Sequence, residues 1–201
     1  MEIVFASKNI KKAKELQRMA PKDIKILCLS DIPEAKKVPQ AEENGKNFVE
    51  NATIKATYWA KILKKPALGE DSGIAIDALD GAPGIYTKRS ISILCPGEDI
   101  NADKPAELYP KLIQLMEESG NPSKKAHWVS AMALVFPNGE MLTAENDLIG
   151  EICECAGERE FGFDQYFMPE GESRTLSEME PEEKDNIGPR RKSFKEILAQ
   201  I

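Results

Sequence analysis

Apolar positions along this chain switch between the period of a strand and the period of a helix. Residues 2–6, Glu2-Ile3-Val4-Phe5-Ala6, form a short apolar run of strand length, and residues 9–19 follow with the spacing of an amphipathic helix. Residues 24–29 predict a second strand. Residues 30–40 hold two prolines and several charges and predict a loop. The strongest helical pattern covers residues 46–63, where Phe48, Ala52, Ala56, Trp59, Ala60 and Leu63 share one face until Pro66 ends it. Beyond it, the apolar pieces Ala67-Leu68-Gly69 and Ile74-Ala75-Ile76 flank Glu70-Asp71-Ser72-Gly73, which predicts an acidic turn. Gly81-Ala82-Pro83-Gly84 predicts another turn.

In the second half, Leu112, Leu115 and Met116 mark a helix that ends at Glu117 or Glu118, with Pro105 and Pro110 leaving its start open. Residues 128–136 predict a strand, Pro137-Asn138-Gly139 a hairpin turn, and residues 140–155 an antiparallel return. Thr175 and Glu178 have the spacing of a capping box, and Phe194, Ile197, Leu198 and Ile201 mark one face of a last helix. The chain has no internal repeat and no low-complexity linker. This order of strands and helices around a long hairpin predicts an α/β fold, an elongated mixed sheet with helices at both ends.

Length and charge narrow the function classes. The 201 residues suffice for one domain, or one with two lobes. Lys and Arg number 27 against 34 Asp and Glu, a net charge of −7, which argues against a nucleic-acid coat and against a polybasic membrane binder. No apolar run approaches the roughly 18–20 residues of a membrane span, and the opening residues do not resemble a signal peptide, so the chain reads as cytoplasmic. Of the four cysteines, Cys28, Cys95, Cys153 and Cys155, the last two would share one face of a strand. With no second pair or histidine nearby to complete a soft metal site, reduced thiols are expected.

The candidate chemistry is acid and base on phosphate. The single histidine, His127, sits in an alternating strand pattern and reads as structural, so no nucleophile–histidine pair presents itself. Instead, Ser7-Lys8-Asn9-Ile10-Lys11-Lys12 joins a strand to a helix, where backbone N–H groups and lysine charge attract phosphate without the glycines of a P-loop. Glu42-Glu43-Asn44-Gly45 and Glu70-Asp71-Ser72-Gly73 place carboxylates where Mg²⁺ can bind through one or two of them while phosphates and water complete its shell. Lys55, one helical turn after Asn51, faces the same place. Phe161-Gly162-Phe163-Asp164, with Lys184 and Arg190 downstream, offers a ring, a close-approach glycine and a carboxylate for a nucleobase.

Read together, Ala6-Ser7-Lys8-Asn9-Ile10-Lys11-Lys12, Phe48-Val49-Glu50-Asn51-Ala52 with Lys55, Pro66-Ala67-Leu68-Gly69-Glu70-Asp71-Ser72-Gly73, Gly81-Ala82-Pro83-Gly84-Ile85-Tyr86, Phe161-Gly162-Phe163-Asp164 and Pro181-Glu182-Glu183-Lys184 with Arg190 come in the order of a known family. The chain resembles the inosine triphosphate pyrophosphatase family over nearly its whole length. The resemblance implies a single two-lobed α/β domain over residues 1–201, with the nucleotide in a central cleft between the lobes, and a homodimer. It implies Mg²⁺-dependent hydrolysis of non-canonical purine nucleoside triphosphates (ITP, dITP, XTP) to the monophosphate and pyrophosphate. By the same likeness, Ser7, Lys8, Asn9, Ile10, Lys11 and Lys12 hold the triphosphate with Lys55, and Glu42 and Asp71 serve the metal. Asp71 is also the proton acceptor for the attacking water, with Ser72 beside the substrate. Phe161, Gly162, Phe163, Asp164, Lys184, Pro189 and Arg190 surround the base and its neighbouring groups.

The chain departs from the family pattern at several places. Glu70-Asp71 replaces paired aspartates, Lys8 replaces a small residue, and Gln165 replaces a proline. Ser90-Ile91-Ser92 follows Arg89 in place of an aromatic, Ala and Gly, and Gly188-Pro189-Arg190 stands where Ser-His-Arg is usual. Two other readings stand beside this one: a Maf-like nucleotide pyrophosphatase with a different base preference, and a nucleotide-binding protein with little turnover. A panel of nucleoside triphosphates with Mg²⁺ separates all three.

Overall fold

The computed structural model describes residues 1–89, 94–97, 105–154, 156–157 and 162–201. Its strands are β1 (Glu2–Phe5), β2 (Lys25–Cys28), β3 (Ala67–Ile76), β4 (Lys125–Val135), β5 (Met141–Ile152) and β6 (Phe167–Pro169). Its described helices are α1 (Ile10–Met19), α2 (Phe48–Leu63), α3 (Pro105–Glu118), α4 (Pro181–Ile187) and α5 (Pro189–Leu198). The strands form one mixed sheet in the order β2-β1-β3-β4-β5-β6, with β1 parallel to both β2 and β3, and β5 antiparallel to β6. The α/β class therefore matches the sequence expectation.

The chain divides into two compact units, and β3, β4 and β5 contribute residues to each. The first comprises Met1–Asp71, Ser130–Asn146 and Pro189–Ile201. In it β1 is the parallel strand between β2 and β3. Ile3, Val4 and Phe5 are all buried, because a parallel strand covered on both faces has no polar side to show. One apolar cluster packs Ile3 and Phe5 with Leu16 of α1, Met132 of β4 and Phe194 and Ile197 of α5. A second packs Val4 and Ala67 with Ala52, Ala56, Trp59 and Ala60, the face of α2 read from the sequence. Helix α2 begins where Asn47 Oδ1 accepts the Glu50 N–H at 2.8 Å, and ends at Lys64 in the left-handed region, φ 53°.

The second unit comprises Ser72–Val129 and Asp147–Gly188. Its core joins Ile74 and Ile76 of β3 to Leu112 and Met116 of α3, and to Phe163, Tyr166, Phe167, Leu176 and Met179. The capping box at Thr175 and Glu178 forms as expected, around a single 3₁₀ turn. His127 lies on β4, with Nδ1 2.7 Å from Asp147 and Nε2 3.4 Å from Asp77. Cys28, Cys95 and Cys153 carry thiols, and Cys155 lies outside the described residues.

Three expectations change. Residues 30–40 are not a plain loop but hold the 3₁₀ turn Pro33–Lys37, directly after another at Leu29–Asp31. The strand expected from Trp128 starts at Lys125. The acidic turn at Glu70 does not exist: β3 runs unbroken from Ala67 to Ile76. A carboxylate in a buried strand is tolerated when cations pair with it, and both Glu70 and Asp71 have such partners.

Candidate active site

Asp71 is the last residue of the first unit and sits on β3, where Gly69 lets helix α2 come into contact. A Cβ at Gly69 would lie 2.0 Å from Ala52 O, so no other residue admits this approach. The approach aims Asn51 and Lys55, one turn apart on α2, at Asp71. Asn51 Nδ2 donates to Asp71 Oδ2 at 3.0 Å, and Lys55 Nζ donates to Asp71 Oδ1 at 3.2 Å. The same ammonium reaches Glu43 Oε2 at 2.9 Å. Burial pushes the Asp71 carboxyl above its ordinary value, against the opposing pull of Lys55 and Asn51. A carboxyl so raised, with donors holding its geometry, suits proton transfer.

Glu70, the preceding residue on β3, is buried inside a network of charge. Its Oε2 accepts from Lys12 Nζ at 2.9 Å, its Oε1 from Arg190 Nε at 2.8 Å, and the Ser130 hydroxyl makes a long contact of 3.5 Å. Arg190 Nη1 also donates to both Glu15 oxygens, at 3.0 and 2.8 Å. Burial would raise the Glu70 carboxyl, but Arg190 and Lys12 outweigh it and hold the group well below the usual carboxylate range. Burial lowers the Lys12 ammonium, with Glu70 pulling the other way. The Arg190 guanidinium stays charged. These contacts tie α1, β3 and the start of α5 together within the first unit.

The remaining residues singled out from the sequence fall into three places. In the first unit, the Ser7 hydroxyl accepts the Asn9 N–H at 3.1 Å, and Asn9 caps α1 by accepting the Lys12 N–H at 3.2 Å. Lys8, Asn9, Ile10 and Lys11 are exposed there. Glu42 is exposed ahead of α2, and Glu43 rather than Glu42 shares Lys55 with Asp71. Pro189 is buried as the first residue of α5, a position that needs no N–H. Arg190 is held beside Lys12 by Glu70 and Glu15. In the second unit, Ser72 follows Asp71 on β3 and Gly162 opens a 3₁₀ turn that ends at Tyr166. Phe163 is 2% exposed and meets Tyr166 edge-on at 5.2 Å, so its ring packs in the core of this unit. Asp164 there forms an ion pair with Lys184. Phe161 lies outside the described residues.

Comparison with known proteins identifies the family. The model of the Ham1 family matches residues 3–200. The chain belongs to the Ham1 family. A dITP/XTP pyrophosphatase of Caulobacter vibrioides is 32% identical over 201 residues, spanning 100% of this chain and 97% of that protein. One of Mycobacteroides abscessus is 35% identical over 206 residues, spanning 100% and 95%. A Ham1 protein of Coxiella burnetii has a solved structure that superposes with a TM-score of 0.85 at 32% identity, covering 100% of both chains. In this Ham1-family chain two helical side chains enter the constellation to which sequence reasoning gave no role, Asn51 and Glu15. Each had a helical signal, since Asn51 lies one turn before Lys55 and Glu15 three residues after Lys12.

Proposed function

We propose that this chain hydrolyses non-canonical purine nucleoside triphosphates (ITP, dITP and XTP) to the monophosphate and pyrophosphate. The observation that carries the reading is Asp71: a carboxylate raised by burial and gripped by Asn51 and Lys55 beside the Lys12–Glu70–Arg190 network. Its curated relatives bear the name dITP/XTP pyrophosphatase. Water attacks the α-phosphorus, Asp71 takes its proton, and the bond to the α,β-bridging oxygen breaks to release pyrophosphate. Lys8, Lys11 and Lys12 at the start of α1 supply positive charge for the triphosphate. The family likeness assigns the base side to Gly162, Phe163, Asp164 and Lys184 of the second unit, together with Phe161, Pro189 and Arg190.

The donor set fits Mg²⁺. Asp71 and Glu43 already converge on an ammonium, which marks the place as one that favours a cation, and both offer hard oxygen donors. Asp71 with Glu42 or Glu43 would hold the ion, whereas Glu70 is committed to Lys12 and Arg190. When bound, Mg²⁺ supplies neutralisation of phosphate charge.

The test is incubation with ITP, dITP, XTP, GTP and ATP in ¹⁸O-labelled water with Mg²⁺. Pyrophosphate and a monophosphate carrying the label are expected. Orthophosphate with a diphosphate, or label in the pyrophosphate, refutes attack at the α-phosphorus. Asp71→Asn, close to isosteric, should keep the fold and lose on the order of 10²–10⁴ in turnover.

A further inference from the structure

Asn51 is the one described side chain that bonds both to Asp71 and to the backbone of the acidic stretch ahead of α2. We propose that Asn51 is a positioning residue for turnover, whose single amide fixes the rotation of the Asp71 carboxylate and the path of residues 42–45 together. The inference rests on the reading of Asp71 as proton acceptor. Both ends of the amide are used: Nδ2 donates to Asp71 Oδ2 at 3.0 Å, and Oδ1 accepts the Gly45 N–H at 2.9 Å. The orientation is dictated, because a backbone N–H can only donate and an ionised carboxylate can only accept. Asn51 is 3% exposed, so water does not compete for either bond.

Two glycines make the arrangement possible. A Cβ on Gly45 would lie 2.7 Å from Asn51 Oδ1 and 2.9 Å from Asn51 N, and a Cβ on Gly69 would strike the carbonyl of Ala52, the next residue of the helix. Backbone therefore closes on Asn51 from the acidic stretch, and on its neighbour from β3. With Asp71 Oδ2 held by Asn51, Oδ1 is left to Lys55, and Lys55 in turn takes Glu43, two residues before Gly45. The carboxylate at position 71 and the carboxylates of the acidic stretch are thus set against each other through one amide and one ammonium. Binding of the triphosphate does not require that link, whereas alignment of a water with the phosphorus does.

The experiment compares wild type with Asn51→Ala, Asn51→Asp and Gly45→Ala. It measures kcat and KM for ITP with saturating Mg²⁺, the thermal midpoint, and hydrogen exchange of the Gly45 amide. In Asn51→Ala, kcat should fall about 10–100-fold with KM within about threefold, and Gly45 should exchange at least tenfold faster. Asn51→Asp keeps an acceptor for Gly45 and loses the donor to Asp71, so kcat should fall while the Gly45 amide stays protected. Gly45→Ala should lower kcat from the other end of the link, and it carries the test along with Asn51→Asp if Asn51→Ala does not fold. Folded variants with kcat within threefold of wild type overturn the proposal, as does a loss confined to KM or an unchanged Gly45 exchange rate in Asn51→Ala. A wild-type chain that releases no pyrophosphate overturns the proposed function first and this role with it, which distinguishes the two failures.

Discussion

At position 70 the chain buries a carboxylate between an ammonium and a guanidinium, and the balance of charge there decides its energetics. Taking any one of these ions out of water costs several kcal/mol, and only the partners restore it. Glu70→Gln removes the negative centre and leaves Lys12 facing a neutral amide, while Arg190 keeps Glu15. A loss of about 3–5 kcal/mol is expected in urea denaturation at neutral pH. Because the folded Glu70 carboxyl lies below its unfolded value near 4.5, its contribution is fully present above that pH. It fades as the medium is made more acidic and the folded carboxyl takes up a proton. Wild type and variant should therefore differ most at neutral pH and converge below 4.5. A difference that grew on acidification would contradict the ion-pair account.

At the scale of elements, the contact of α2 with β3 sets the geometry around Asp71. Sequence periodicity places Ala52, Ala56 and Ala60 on the packed face of α2, small residues that allow a close approach, and Gly69 completes it from the strand. Gly69→Ala would put a methyl group 2.0 Å from Ala52 O and 2.9 Å from Ala56 N, both backbone atoms that cannot swing away. The helix must shift. A loss of about 1–3 kcal/mol or more is expected, together with a fall in turnover as Asn51 and Lys55 leave Asp71. Thermal midpoint and kcat for ITP measure both. Full turnover in a stable Gly69→Ala protein would show that the close contact does not position the site.

For the whole molecule, a net charge of −7 opposes a polyanionic ligand, so the proposed triphosphate substrate has to meet local positive charge, and the start of α1 concentrates three lysines in five residues. No described helix is long and apolar enough to cross a membrane. The family likeness implies a homodimer. Size-exclusion chromatography with light scattering should give twice the chain mass of 22.3 kDa, and a single-chain mass at micromolar concentration would remove that expectation.

The sequence alone determined the type of most elements, the α2 face, the α/β class and the family, because periodicity and ordered motifs are properties of neighbouring residues. It pointed to Asp71, Lys12 and Lys55 through the same local patterns. It read Glu70-Asp71 as a turn because charge is normally solvated, whereas β3 passes straight through once Lys12, Arg190, Lys55 and Asn51 arrive from other elements. Of the two rings in Phe161-Gly162-Phe163-Asp164, Phe163 packs in the core beside Tyr166, a contact that no local pattern announces. Arg190, 120 residues from Glu70, became its partner only when α5 packed beside α1. Partners of a buried charge are chosen by three-dimensional packing, since the desolvation cost falls on whatever the fold brings within reach, however far apart in the chain.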